Sequence, residues 1–124
     1  MLHNAQLVGF TATSQPEEAR RFYKDVLGLR LIEETSFAIV FDANGVVVRV
    51  QKTHEVHPAP HTLIGWEVED IAATARQLQA LGVAFERFDQ LEQDDTGIWH
   101  APGGARVAWF KDPDGNLLSL SQSA

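Results

Sequence analysis

The side chains in this 124-residue chain that could hold a metal or move a proton are few, and their spacing narrows the chemistry further. There are five histidines and no cysteine. Without cysteine, disulfides, thiolate-bound metals and thiol catalysis are excluded. His54, His57 and His61 fall in the segment 52–61, Lys-Thr-His-Glu-Val-His-Pro-Ala-Pro-His. Imidazoles that share a metal usually sit on a rigid helix face or strand. Pro58 and Pro60 break every period here, so the segment reads as a solvated linker. His100 is a general-base candidate with no nucleophile or orienting partner apparent in the sequence. No glycine-rich phosphate loop and no G-x-S-x-G elbow is present. Trp99 and Trp109 suit either core packing or the stacking of a planar ligand.

The elements that must position these residues are written twice. Residues 7–12, Leu-Val-Gly-Phe-Thr-Ala, recur 56 positions later as Leu-Ile-Gly-Trp-Glu-Val at 63–68. At the same offset Ala19-Arg20 recurs as Ala75-Arg76. A strand followed by a helix, built twice, is the economical reading, and two copies suggest fused modules rather than a solenoid. In the first copy Ser14 and Glu17 form an S-x-x-E capping pattern, and Ala19, Phe22, Tyr23, Val26 and Leu27 give one apolar helix face over 15–27. Gly28 is placed to end that helix. Strands are expected at 6–12, 29–33, 37–41 and 46–50, the last two joined by a turn containing Asn44-Gly45. In the second copy Asp70 is a good N-cap for a helix over 71–81 that ends at Gly82. Strands are expected at 63–68, 83–88, near 98–101, at 105–110 and at 117–121. A polar acidic loop spans 89–97, and Asp112-Pro113-Asp114-Gly115-Asn116 is a strong turn signal. The modules then run about 5–51 and 62–122, with the linker between them, in one domain.

Composition agrees with a globular chain: 44% hydrophobic and 22% charged residues can bury a core. A net charge of −7 argues against a nucleic-acid partner. It is compatible with a cationic ligand, although plain solubility explains it as well. No run approaches the apolar length needed to cross a bilayer, and the N-terminus has neither a basic nor a long apolar stretch. A cytoplasmic protein without membrane association is the expectation.

Two motifs carry a resemblance. Phe22-Tyr23-Lys24-Asp25-Val26-Leu27-Gly28-Leu29 follows the first strand, and Phe110-Lys111-Asp112-Pro113-Asp114-Gly115-Asn116-Leu117-Leu118 lies near the end. With the duplicated order, the chain resembles the vicinal oxygen chelate superfamily, also called the glyoxalase/bleomycin-resistance/dioxygenase superfamily, over nearly its whole length. The resemblance implies an α+β fold in which two tandem βαβββ modules form a curled mixed-sheet cup, and it implies a homodimer. Metal-dependent members place His, Glu or Gln at four inward positions. Carried over, these fall on Leu7 (Val8 if the first loop has no extra residue), Arg49, Leu63 and Ser119. Leucine and valine offer no lone pair, arginine is permanently cationic, and serine is a poor neutral ligand. A register slip of two would bring in Gln51, which alone would not hold a metal. No metal and no other cofactor is therefore expected.

Strand alternation extends the set. Thr11 joins Leu7; Gly65 and Glu67 join Leu63; Leu117 and Ser121 join Ser119. The resemblance adds Trp109, and either Trp99 or His100 should face the same way. Arg49 could pair with Glu67 as a structural tie, or hold a carboxylate of a ligand bidentately. Three classes of function follow. The first is metal-free binding of a small planar organic compound such as an antibiotic. The second is a glyoxalase-type lyase or isomerase, or a dioxygenase-related enzyme, with an atypical metal site. The third is a structural or regulatory subunit. The ligand-binding candidates are Leu7, Thr11, Arg49, Leu63, Glu67, Trp99, Trp109, Leu117 and Ser119.

Overall fold

Alternation of apolar and polar side chains makes most of these strands two-sided, and each sheet lays its apolar side against a helix. The computed structural model describes residues 1–124, in two compact units, Met1–His57 and Pro58–Ala124.

The first unit contains β1 (Val8–Thr13), α1 (Pro16–Arg21), β2 (Arg30–Glu34), β3 (Ala38–Ala43) and β4 (Val46–Lys52). The sheet order is β1-β4-β3-β2, with β1 parallel to β4 and the other pairs antiparallel. Ile39, Phe41, Val48 and Val50 share one face and are buried. The helix covers that face: Tyr23, fully buried, sets its ring 5.8 Å from Phe41. A π-helical turn, Phe22–Val26, continues α1 and carries Tyr23 there. At the rim, Glu34 receives Arg20 at 2.6 Å and Lys52 at 2.8 Å. The expected capping box does not form. Gln15 is the N-cap, without a side-chain capping bond, and Pro16 is the first helical residue. The Asn44-Gly45 turn forms as expected, with φ of 51° and 91°.

The second unit contains β5 (Ile64–Glu67), α2 (Ile71–Ala80), β6 (Trp99–His100), β7 (Arg106–Lys111) and β8 (Leu117–Gln122). Its sheet repeats the pattern as β5-β8-β7-β6, with β5 parallel to β8. Asp70 caps α2 by accepting from the Ala73 N–H at 3.0 Å. Gly82, at φ 96°, ends it while Val83 N–H reaches back to the Leu78 carbonyl at 3.0 Å. Ala108, Phe110, Leu118 and Leu120 are buried on the helix side together with Ile71, Ala75 and Leu78. Residues 83–88 do not form the expected strand. Glu86 N–H still reaches the Trp109 carbonyl at 2.8 Å, but the Gln93 side chain takes other groups: its amide accepts from Phe88 N–H at 2.8 Å and donates to the carbonyls of Glu86 and Gly97.

The two copies of the strand motif differ in pleat. Gly9 pairs with Val48 and lies on the helix side of its sheet, as does Thr11, which pairs with Val50. Gly65 pairs with Ser119, on the side away from the helix. The 56-residue offset therefore matches residue types while inverting faces, because a one-residue slip turns over every side chain of a strand. The expectation that Leu7 and Thr11 share a face with Arg49 is corrected. Thr11 is buried beneath the helix, and Leu7 is exposed ahead of β1. Val8, the alternative, pairs with Val47 on the face of Arg49.

Candidate functional site

The open face of the second unit, turned away from α2, collects most of the candidate residues. Cross-strand register arranges them in three rows. Leu117 and Lys111 form the first, with Leu63 beside them through its N–H to the Leu117 carbonyl at 2.8 Å. Gly65, Ser119 and Trp109 form the second. Glu67, Ser121, Val107 and Trp99 form the third. Trp99, not His100, lies on this face. Its ring sits 6.1 Å from that of Trp109, tilted by 32°. His100 points to the other side and lies 3.7 Å from Asp94.

Each row has a local cause. A Cβ on Gly65 would come within 2.5 Å of the Ser119 hydroxyl, so glycine leaves the room in which that hydroxyl sits. Trp109 donates its indole N–H to Thr62 Oγ1 at 3.2 Å and meets Phe88 edge-on at 5.3 Å. The Glu67 carboxylate accepts from Ser121 Oγ at 2.8 Å, from Ser123 N–H at 2.8 Å and from Ser123 Oγ. Those bonds, led by the Ser123 and Ser121 hydroxyls, hold its carboxyl below the ordinary range. Beside the first row lies a cleft of about 290 Å³, walled by Pro58, Pro60, Phe88 and Leu117, with the Lys111–Glu86 ion pair (3.4 Å) at its edge. Phe88, Thr62 and Ser123 were not among the sequence candidates. Phe88 alone carried a signal, as an aromatic side chain ending the expected strand 83–88.

In the first unit the open face carries Val8 and Phe10 on β1 and Val47, Arg49 and Gln51 on β4. Arg49 stands between Phe10 and Val40 and is exposed. No carboxylate of the first unit lies within ion-pair distance of its guanidinium.

The four positions marked for a metal can be tested on donor chemistry. They hold Leu7, or Val8 in the alternative count, with Arg49, Leu63 and Ser119, which supply one neutral hydroxyl and a fixed cation. This set does not fit a divalent ion. No group of three or more His, Asp or Glu side chains comes together elsewhere, His54, His57 and His61 included.

Two units of β-α-β-β-β order, each a mixed sheet covered by a helix on one side, define an α+β class of duplicated modules. The chain belongs to the Glyoxalase/Bleomycin resistance protein/Dioxygenase superfamily, whose family model matches residues 8–120. Among solved structures it is similar to a glyoxalase family protein from Bacillus anthracis, at 17% identity and TM-score 0.78, covering 98% of this chain and 96% of that one. A bleomycin resistance determinant encoded on transposon Tn5 has 17% identity and TM-score 0.74, with 97% and 98% covered. Lactoylglutathione lyase from Agrobacterium tumefaciens has 16% identity and TM-score 0.73, with 96% and 93% covered. At these identities the likeness shows the fold. A search of curated proteins by sequence gives no match. No helix is long and apolar enough to cross a membrane.

Proposed function

We propose that this chain is a metal-independent binding protein for a small, planar organic compound. The observation that carries the reading is the open face of the second unit: Trp99 and Trp109 stand side by side, and Trp109 meets Phe88, which walls a cleft of about 290 Å³. That volume is at the lower end of small-molecule sites, which combine apolar walls with a few polar groups. Lys111 and Glu86 supply the polar groups of the cleft, and Ser119 and Glu67 those of the sheet face beside it. The likeness to a bleomycin resistance determinant supports sequestration of such a compound. The likeness to lactoylglutathione lyase would support catalysis, but the donor set at the metal positions disfavours that chemistry. Arg49 is the second element of the reading. Its unpaired planar fork is suited to a carboxylate or to vicinal oxygens, a geometry that lysine would not reproduce. The reading includes a homodimer of 13.7 kDa chains, since edge strands and apolar surface favour pairing.

The test is a screen of planar organic acids and antibiotics by tryptophan fluorescence, repeated with Trp109→Leu and Arg49→Met. Hits should change the emission of the parent protein and lose affinity in Trp109→Leu. Acidic compounds held by the first unit should instead weaken in Arg49→Met. Native mass spectrometry of the purified protein should show no stoichiometric metal and a mass of two chains. One tightly held metal per chain would overturn the metal-independent reading, and a screen without a single hit would remove the binding role.

A further inference from the structure

The open face of the second unit carries one charge that nothing in that unit answers. Lys111, in the first row, is matched by Glu86 at 3.4 Å. Glu67, in the third row, has no lysine, arginine or histidine of its own unit within ion-pair distance. Its partners are the hydroxyls of Ser121 and Ser123 and one backbone N–H. All three donate, so they stabilise the ionised carboxylate without cancelling its charge. Oε1 takes both bonds from Ser123, whereas Oε2 takes only the Ser121 hydroxyl. One acceptor site on Oε2 is therefore left over. The residue is exposed, so the site is reachable.

Aromatic side chains share this face. Trp99 stands in the same row as Glu67, and Trp109 one row away. The Trp109 N–H is already given to Thr62, which leaves its π-face rather than its donor for a ligand. Electron-rich indole faces and an unmatched carboxylate both attract an organic cation, and both repel an anion. Glu67 and the β7 residues are two strand spacings apart, about 10 Å.

We propose that this face selects a ligand carrying a protonated amine about 10 Å from an aromatic ring, the amine meeting Glu67 and the ring lying on Trp109. This assignment of ligand class rests on the small-molecule reading above and adds a charge preference to it. The two are separable by a matched pair of probes, naphthyl-hexylamine and its neutral analogue naphthyl-hexanol, measured by titration calorimetry at neutral pH.

The amine should bind about tenfold more tightly than the alcohol, and high salt should narrow the gap. Glu67→Gln should bring the amine down to the affinity of the alcohol while leaving the alcohol unchanged, and Glu67→Asp should keep a preference for the amine. Equal binding of the two probes by the parent protein overturns the charge preference and leaves the small-molecule reading intact. An amine preference that survives Glu67→Gln overturns it too. If neither probe binds, the small-molecule reading fails and the preference with it. The comparison of probes on the parent protein decides the matter even if a variant folds poorly.

Discussion

The two units repeat one topology and use it differently. Both place a parallel first strand beside the last, and both bury an aliphatic and aromatic side against a helix. Away from the helix they diverge. The first unit presents Val8, Phe10 and an unpaired Arg49; the second presents paired tryptophans, two serines and an unpaired Glu67. The side that makes the fold is constrained by burial, so its chemistry repeats. The open side is free of that constraint and holds opposite charges in the two copies. Function in this chain should therefore be sought in what the copies do not share.

The largest expected difference between the units lies in their equivalent hairpins. The β3–β4 turn begins with Asp42, whose carboxylate accepts from Gly45 N–H at 3.0 Å. The β7–β8 turn begins with Asp112, which accepts from the N–H groups of Asp114 and Asn116 and from the Asn116 side chain, at 2.9–3.0 Å. Asp42 is partly exposed, whereas Asp112 is only 6% exposed. Asp112→Ala leaves buried donors without partners and should cost about 3 kcal/mol in urea unfolding. Asp42→Ala should cost less than about 1 kcal/mol, because water replaces the carboxylate. Equal losses would show that burial does not separate the two turns.

The two glycines that advertise the repeat give the next effect. An added Cβ at Gly9 meets nothing closer than 3.9 Å, while at Gly65 it falls 2.5 Å from Ser119 Oγ. Gly65→Ala should destabilise by about 1 kcal/mol, and Ser119→Ala in the same chain should recover most of that. Gly9→Ala should be neutral or slightly stabilising, since glycine weakens a strand interior.

These glycines also show what the sequence could and could not disclose. The βαβββ order, the Asp70 cap and the Asn44-Gly45 turn were readable because each depends on local spacing, whereas Trp109 and Ser119 entered through the family resemblance. The face of β1 was not. Matching Gly9 to Gly65 maximised likeness of residue type, and a pleat with period two punishes that match with an inversion. Residues 83–88 look like a strand because nothing local reveals that the Gln93 side chain will take the Phe88 N–H and the Glu86 carbonyl, leaving only Glu86 N–H to bond β7. Arg49 was expected to lie inward, where either a protein acid or a ligand's carboxylate would meet it; its exposure removes the need for a structural partner.

The charged groups of the two units sharpen the comparison through pH. Glu34 is held down to about 2, chiefly by its hydrogen bond from Arg20 and then by Lys52. Its folded-state value is depressed, so its contribution is fully present above the ordinary carboxylate range and is lost as pH falls through about 2. Being near the surface, the pairing is worth about 1 kcal/mol, and salt should shrink it. Glu67 is lowered by serine donors rather than by cations, so its share of acid sensitivity should persist in high salt. Thermal melts across the acid range, with Glu34→Gln and Glu67→Gln at low and high salt, separate the two. A salt-independent Glu34 effect would contradict the ion-pair account.

The smallest expected effect is that of Arg49→Met on stability. An arginine buried against an acid would leave an unpaired charge when removed, and such losses reach several kcal/mol. Arg49 is exposed, makes no ion pair, and stands between Phe10 and Val40 in the register of its sheet. Methionine keeps the apolar stem that crosses those neighbours and deletes only a solvated charge. The midpoint of unfolding should therefore stay within about 0.5 kcal/mol of the parent. The same variant is expected to weaken acidic ligands, so Arg49 would be a residue whose removal changes binding and leaves the fold alone. A large drop in melting temperature would assign it a structural partner instead, and the contrast between the two open faces would then lose its positive half.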